Sequence, residues 1–254
     1  MTGALSEQIV IAGLLFCRIG ACLMLIPGIS GDRIAPHIRL FLAFSIVMAL
    51  FPMQAKSISE ANTESAAGLA LLIVAECAAG FVLGFLVRIL YLALEFAAVT
   101  MANCAGYGSI FMQAIDENHS TGPFSEIISL TAVALFFTMD LHVAVVIMLQ
   151  NSYSTIPPGG LLNGPFDLLQ LGAGLHNAFL LSLQLSAPLI IFSLTVNLAF
   201  GLLNKLVPQV PAYFLSVPFA MAGGLIILLR SDGAILRIFI SAVGETIQRI
   251  AGLG

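Results

Sequence analysis

Few side chains in this 254-residue sequence could carry chemistry: it has 9 lysines and arginines, 13 aspartates and glutamates, 4 histidines and 4 cysteines. Asp140 and His142 sit within an apolar run over residues 127–149. Ionisable groups at such depth are costly in hydrocarbon, so a proton relay is one role open to them. A spacing of two places them on different helix faces, which favours a turn or packing role over proton transfer. Asp116, Glu117 and His119 lie in a polar run before Pro123. Adjacent acids with one histidine are common in turns, so no metal centre is expected there. Cys17, Cys22, Cys77 and Cys104 fall in apolar or near-apolar stretches, with no CxxC pair and no histidine at ligand spacing. They read as small buried hydrophobes. Walker loop, dinucleotide fingerprint, HExxH and nucleophile elbow are all missing from the sequence, so neither ATP hydrolysis nor another catalysed reaction is expected, and no cofactor.

The remaining polar residues point to contact chemistry. From Val196 to Pro218 an apolar background carries Asn197, Gly201, Asn204, Lys205, Pro208, Gln209, Pro211 and Pro218. Asn197, Gly201 and Asn204 recur at four and three residues and so share a helix face, which Ser193, Ser186 and Ser182 continue backwards. An amide left unbonded in hydrocarbon costs several kcal/mol, so this stripe should meet protein or water. Packing within the chain's own bundle would satisfy it as well as a partner subunit would. Pro208, Pro211 and Pro218 should stop any regular helix. A further stretch, Gly106 to Pro123, joins an aromatic and sulfur-rich half (Tyr107, Ile110, Phe111, Met112) to a polar half. Apolar groups on a glycine-hinged loop could close a pore by dewetting, or tuck against their own bundle.

These stretches need elements to position them, and the composition restricts what those are. At 59 % hydrophobic and 9 % charged, with a mean hydropathy of +1.06, the chain departs far from the roughly 25 % charge of soluble domains. A polytopic, all-α membrane protein follows, in one membrane-embedded domain over residues 1–254. The net charge of −4 and the lack of a basic run argue against nucleic acid as a partner. Apolar segments are expected at 9–27, 40–53, 66–104, 127–149, 176–204 and 207–229, with an amphipathic helix at 234–253. The segment 9–27 is interrupted by Arg18, which must face a partner or snorkel. The segment 40–53 is short for a crossing. Within 66–104, Gly80 and Gly84 form a GxxxG, and Ala98, Ala102 and Gly106 a small-residue series, both inviting a close backbone. Glu76, Arg88 and Glu95 in that helix suit burial in an assembly. Pro188 predicts a kink in 176–204, and Gly223-Gly224 a break in 207–229. Without tryptophan, the tyrosines Tyr91, Tyr107, Tyr153 and Tyr213, together with phenylalanines, are the expected interfacial anchors.

The run Asn197-Leu-Ala-Phe-Gly201-Leu-Leu-Asn204-Lys-Leu-Val-Pro208-Gln209 resembles the signature of the FliR family of flagellar biosynthesis proteins, related to the SctT subunits of type III secretion injectisomes. Asp140-Leu-His142, the turn Pro157-Pro-Gly159-Gly160 and Pro218 are similar to the family's pattern too, although Leu141 stands where relatives often carry glycine. The resemblance covers most of the chain and is weakest over residues 1–68. It implies interrupted helices and helical hairpins packed in a helical hetero-oligomeric export gate with FliP-like and FliQ-like subunits, FlhB and FlhA, in the bacterial inner membrane at the flagellar basal body. It further implies passage of unfolded flagellar proteins, with the loop Gly106, Tyr107, Ile110, Phe111 and Met112 as plug. The face Ser186, Ser193, Asn197, Gly201 and Asn204 would then be the subunit-packing surface, and the charged helices would be buried in neighbouring subunits, with membrane lipid as a lesser contact. An injectisome subunit and a small-molecule secondary transporter are the competing readings.

Overall fold

The computed structural model describes residues 2–30, 34–59, 66–107, 123–160, 168–209 and 212–250. They form helices α1 (Thr2–Leu23), α2 (Pro36–Ser59), α3 (Ala66–Cys104), α4 (Pro123–Thr138), α5 (Leu141–Thr155), α6 (Leu168–Leu206) and α7 (Ala212–Ile250), with no strand among the described residues. In hydrocarbon every backbone donor must be bonded within its own segment, which is what a helix achieves. Pro36–Ala55, Ala66–Cys104, Leu171–Leu206 and Phe214–Ser231 are each long and apolar enough to cross a membrane. The bent pair Glu126–Thr138 and Leu141–Thr155 adds a fifth if it counts as one span. The fold is all-α, as expected, and multi-pass.

Several boundaries differ from those expected of the sequence, each for a local reason. The segment expected at 40–53 is a 24-residue helix, spanning about 36 Å at 1.5 Å per residue, so it is not short. Pro36 begins it, in the first turn where a missing N–H costs nothing, and Pro52 is carried inside. The expected single segment 127–149 is two helices bent by 64°. The break falls at Asp140, which adopts the left-handed conformation at φ 56°. Aspartate tolerates that region better than most residues, and no glycine or proline marks the spot.

The C-terminal third is more continuous than expected. Residues 212–250 are one helix running through Pro218, Gly223 and Gly224, so Pro218 does not end a helix and the amphipathic stretch is the second half of α7. The glycines serve packing there: a Cβ on Gly224 would lie 2.6 Å from Ala105 Cβ, and one on Gly223 would enter the Phe192 ring. Membrane helices tolerate an internal proline because the freed groups find other partners. The same holds for Pro188, which α6 also carries.

The chain divides into two compact units. The first comprises residues 1–90, 136–175 and 243–254. Its core holds Leu14, Leu15 and Ile19 of α1, Ala75 and Ala79 of α3, and Met148 and Leu149 of α5. Gln54 of α2 reaches α5 by donating to the Gln150 carbonyl at 2.9 Å. The second unit comprises residues 91–135 and 176–242, with Ala97, Ala98 and Met101 of α3, Ala132 of α4, and Leu185 and Leu189 of α6 buried. The small residues at 97, 98, 102 and 105 keep that face of α3 low enough for close packing.

Candidate functional site

In the first unit the polar side chains meet at one buried point. Arg18 and Glu76 are both fully buried and joined bidentately: Arg18 Nε donates to Glu76 Oε2 at 2.7 Å and Nη2 to Oε1 at 2.9 Å. Nη1 donates to Ser152 Oγ at 3.2 Å and to the Ile156 carbonyl at 3.1 Å. The Tyr153 ring covers the guanidinium at 3.9 Å. One arginine thus ties α1 to α3 and to the C-terminal end of α5. A planar fork suits this, because each N–H has its own fixed direction. Arg18 therefore neither snorkels nor faces a partner, and Tyr153 is no interfacial anchor: it is buried, with its hydroxyl unpartnered among the described residues.

The backbone contact beneath this cluster comes from the GxxxG. Glu76, Gly80 and Gly84 recur every four residues on one face of α3. A Cβ on Gly80 would collide with the Arg18 carbonyl oxygen, and one on Gly84 would lie 2.7 Å from the Cys22 carbonyl oxygen. The helices therefore touch backbone to backbone at this crossing, and the long arginine can turn inward. The sequence carries a signal for this: an acid one turn before a GxxxG, and an arginine 58 residues earlier with nothing nearby to neutralise it.

Directly after Ile156 comes the turn Pro157-Pro158-Gly159-Gly160. Gly160 N–H donates to the Pro157 carbonyl at 2.8 Å, with Gly159 at φ 75°. Proline then glycine at the two central positions is the type II pattern, in which only the third residue needs positive φ. Gly159 is buried, and a Cβ there would be 3.0 Å from Leu72. Pro157 is exposed. Asp140, at the bend before α5, makes no side-chain cap bond. The His142 ring packs against that of Phe137, with centroids 5.4 Å apart and planes tilted by 40°, and its buried Nδ1 has no partner among the described residues. Asp140 and His142 are not paired with each other among the described residues.

In the second unit, the 106–123 stretch begins on a capped helix end. Gly106, at φ 82°, donates to the Asn103 carbonyl at 3.1 Å, and Tyr107 N–H donates to the Ala102 carbonyl at 3.0 Å. This is the Schellman pattern, for which glycine in the left-handed region is the preferred residue. The Tyr107 hydroxyl reaches the Met221 carbonyl at 3.4 Å. Ile110, Phe111 and Met112 lie outside the described residues, as do Asp116, Glu117 and His119.

The polar stripe of α6 divides in two. Ser182 and Ser186 are buried and bond back to their own helix, Ser186 Oγ to the Ser182 carbonyl at 2.8 Å and Ser182 Oγ to the Phe179 carbonyl at 2.7 Å. Further along, Asn197 Nδ2 donates to Ser193 Oγ at 3.3 Å. Asn197, Gly201 and Asn204 are exposed, as are Lys205, Pro208 and Gln209. Beyond Leu189 no residue of α6 is buried, and Leu194, Leu198 and Leu206 are 69, 64 and 79 % exposed. In the first half of α7, Phe214 and Leu229 are as open, at 75 and 73 %. Pro211 lies outside the described residues.

The family described as bacterial export proteins, family 1, matches the chain over residues 9–246. The chain is similar to the flagellar biosynthetic protein FliR of Caulobacter vibrioides, at 27 % identity over 96 % of this chain and 97 % of that one. It is similar to the protein of the same name in Escherichia coli, at 29 % over 82 % and 78 %. The secretion system apparatus protein SsaT of Salmonella typhimurium is 28 % identical over 63 % of this chain and 62 % of its own.

Proposed function

The chain belongs to the bacterial export proteins, family 1, and on that premise we propose that it is a subunit of the flagellar type III export gate, forming part of the channel through which unfolded flagellar proteins leave the cytoplasm. The match to a FliR protein over nearly the full length of both chains carries this reading. It assembles with FliP-like and FliQ-like subunits and with FlhB and FlhA, in the inner membrane at the basal body, and catalyses no reaction itself. The likeness to SsaT favours an injectisome as the second reading. Complementation separates them: restored swimming in a strain lacking its flagellar FliR supports the first, and restored secretion only in an injectisome mutant supports the second.

What supports a surface for partner subunits is the far end of α6 with the first half of α7. Leu194, Leu198 and Leu206 are left open there, on the same helix as exposed Asn197 and Asn204. Leucines alone would suit lipid; asparagine amides would not. Replacing both Asn197 and Asn204 by Leu should lower co-purification with the FliP-like partner several-fold while leaving the chain's own melting temperature within a few degrees. Unchanged recovery would show that the amides do not hold partners.

The stretch beginning at Gly106 serves as the plug in this reading. Gly106 and Tyr107 form its root, bonded to α3 and α7, so the closing face falls to Ile110, Phe111 and Met112. Phe111→Ala with Met112→Ala should raise ion leakage through the assembled complex about tenfold or more, since a hydrophobic constriction gates by excluding water. Bilayer conductance measures this, and a background no higher than that of the unmutated complex would sink the plug assignment.

A further inference from the structure

Arg18 uses four of its N–H groups in the contacts above, and they divide by purpose. Nε and Nη2 neutralise Glu76, while Nη1 serves Ser152 and the Ile156 carbonyl. The first pair holds the buried charge. The second pair holds the last turn of α5: Ile156 N–H donates to the Ser152 carbonyl at 2.7 Å, and its own carbonyl, freed where the helix ends, is taken by the guanidinium. The next residue opens the Pro157–Gly160 turn, whose Gly159 is seated against Leu72 of α3. Pro157 and Pro158 have no N–H with which to anchor the turn themselves. The position of this turn is therefore set from its two ends, by Leu72 under Gly159 and by Arg18 on Ile156.

We infer that Arg18 is a positioning residue for export: its Nη1 arm places the Pro157–Gly160 turn, and this task is separate from its neutralisation of Glu76. A guanidinium performs both at once because its donors are fixed in different directions. An ammonium concentrates three donors on one flexible point, so a lysine at this site serves Glu76 or the Ile156 carbonyl and not the whole set. Reversing the pair keeps the charges matched, but roots the guanidinium on α3 and leaves the end of α5 unserved.

The test compares Arg18→Lys and the reversed pair Arg18→Glu with Glu76→Arg against the unmutated protein, each as the full chain in its purified membrane complex. Amide hydrogen exchange at Ile156 and Gly160 reports the turn directly, and export of flagellar subunits in a strain lacking its own homologue reports function. Both variants should be recovered in complex, exchange about tenfold faster at these two amides, as for one lost hydrogen bond to a charged group, and export several-fold less. Should neither assemble, Ser152→Ala decides, because it removes one Nη1 partner and leaves the Glu76 pair intact; exchange should rise by a smaller factor and export should fall with it. Exchange at the unmutated rate, or normal export from a variant whose turn exchanges fast, overturns the inference. The export arm rests on the flagellar reading: if the unmutated chain fails to restore export, that reading falls while the exchange arm still decides whether Arg18 sets the turn.

Discussion

Removing Glu76 alone, as Glu76→Leu, should destabilise the protein by about 3–5 kcal/mol, because it strands a fully buried guanidinium without its counter-charge. Against a typical total of about 5–15 kcal/mol that loss is large enough to deplete the folded chain from membranes. Arg18 sits at 0 % exposure, out of reach of bulk solvent. Its other partners, Ser152, the Ile156 carbonyl and the Tyr153 ring, are neutral and cannot replace a carboxylate. The double variant Arg18→Leu with Glu76→Leu should regain most of the loss, since a buried ion pair is commonly replaceable by well-packed apolar groups at little cost. Thermal unfolding of the purified chain, followed by light scattering or protease resistance, gives both values. A single variant as stable as the unmutated protein, or a double variant no better than the single, would refute the account of the pair.

The other large effect is expected at Gly80. A methyl group there meets the carbonyl oxygen, carbonyl carbon and Cα of Arg18. All three are backbone atoms, so no side chain can rotate away and α1 itself must shift. Gly80→Ala should cost about 1–3 kcal/mol and Gly80→Val more, as overpacked cores do. Displacing α1 also lengthens the Arg18–Glu76 contacts, so Gly80→Ala and Glu76→Leu should combine non-additively. Gly172 provides the contrast: it lies in α6 with nothing within 4 Å of an added Cβ. There alanine should be neutral or stabilising by up to about 1 kcal/mol, through helix propensity alone. Equal losses at the two positions would show that the close crossing does not exist.

How much of this is legible in the sequence depends on whether the signal is local. The bounds of α3 follow from hydropathy, because Ala66 to Cys104 is a long apolar run closed by glycine at Gly106. The α6 stripe is equally visible as a period, yet its division is not: burial of Ser182 and Ser186 against exposure of Asn197 and Asn204 depends on where neighbouring helices end. Prolines and glycines mislead in one direction. Pro52, Pro218, Gly223 and Gly224 all continue helices, since neighbours in a membrane fold supply what the backbone loses. The bend at Asp140 misleads in the other direction, because a left-handed aspartate carries no mark in its neighbours. Arg18 stands out as anomalous in the sequence but its partner does not, for a contact 58 residues away leaves no trace in spacing. Only the coincidence of an acid with a GxxxG on one face of α3 hints at it.

The two glycine contacts also fix the direction in which two helices run past each other. Gly80 faces Arg18 and Gly84 faces Cys22, so both helices advance in the same sense through their crossing. α1 and α3 therefore run parallel where they cross, and the chain between Leu23 and Ala66 has to come back along them before α3 begins.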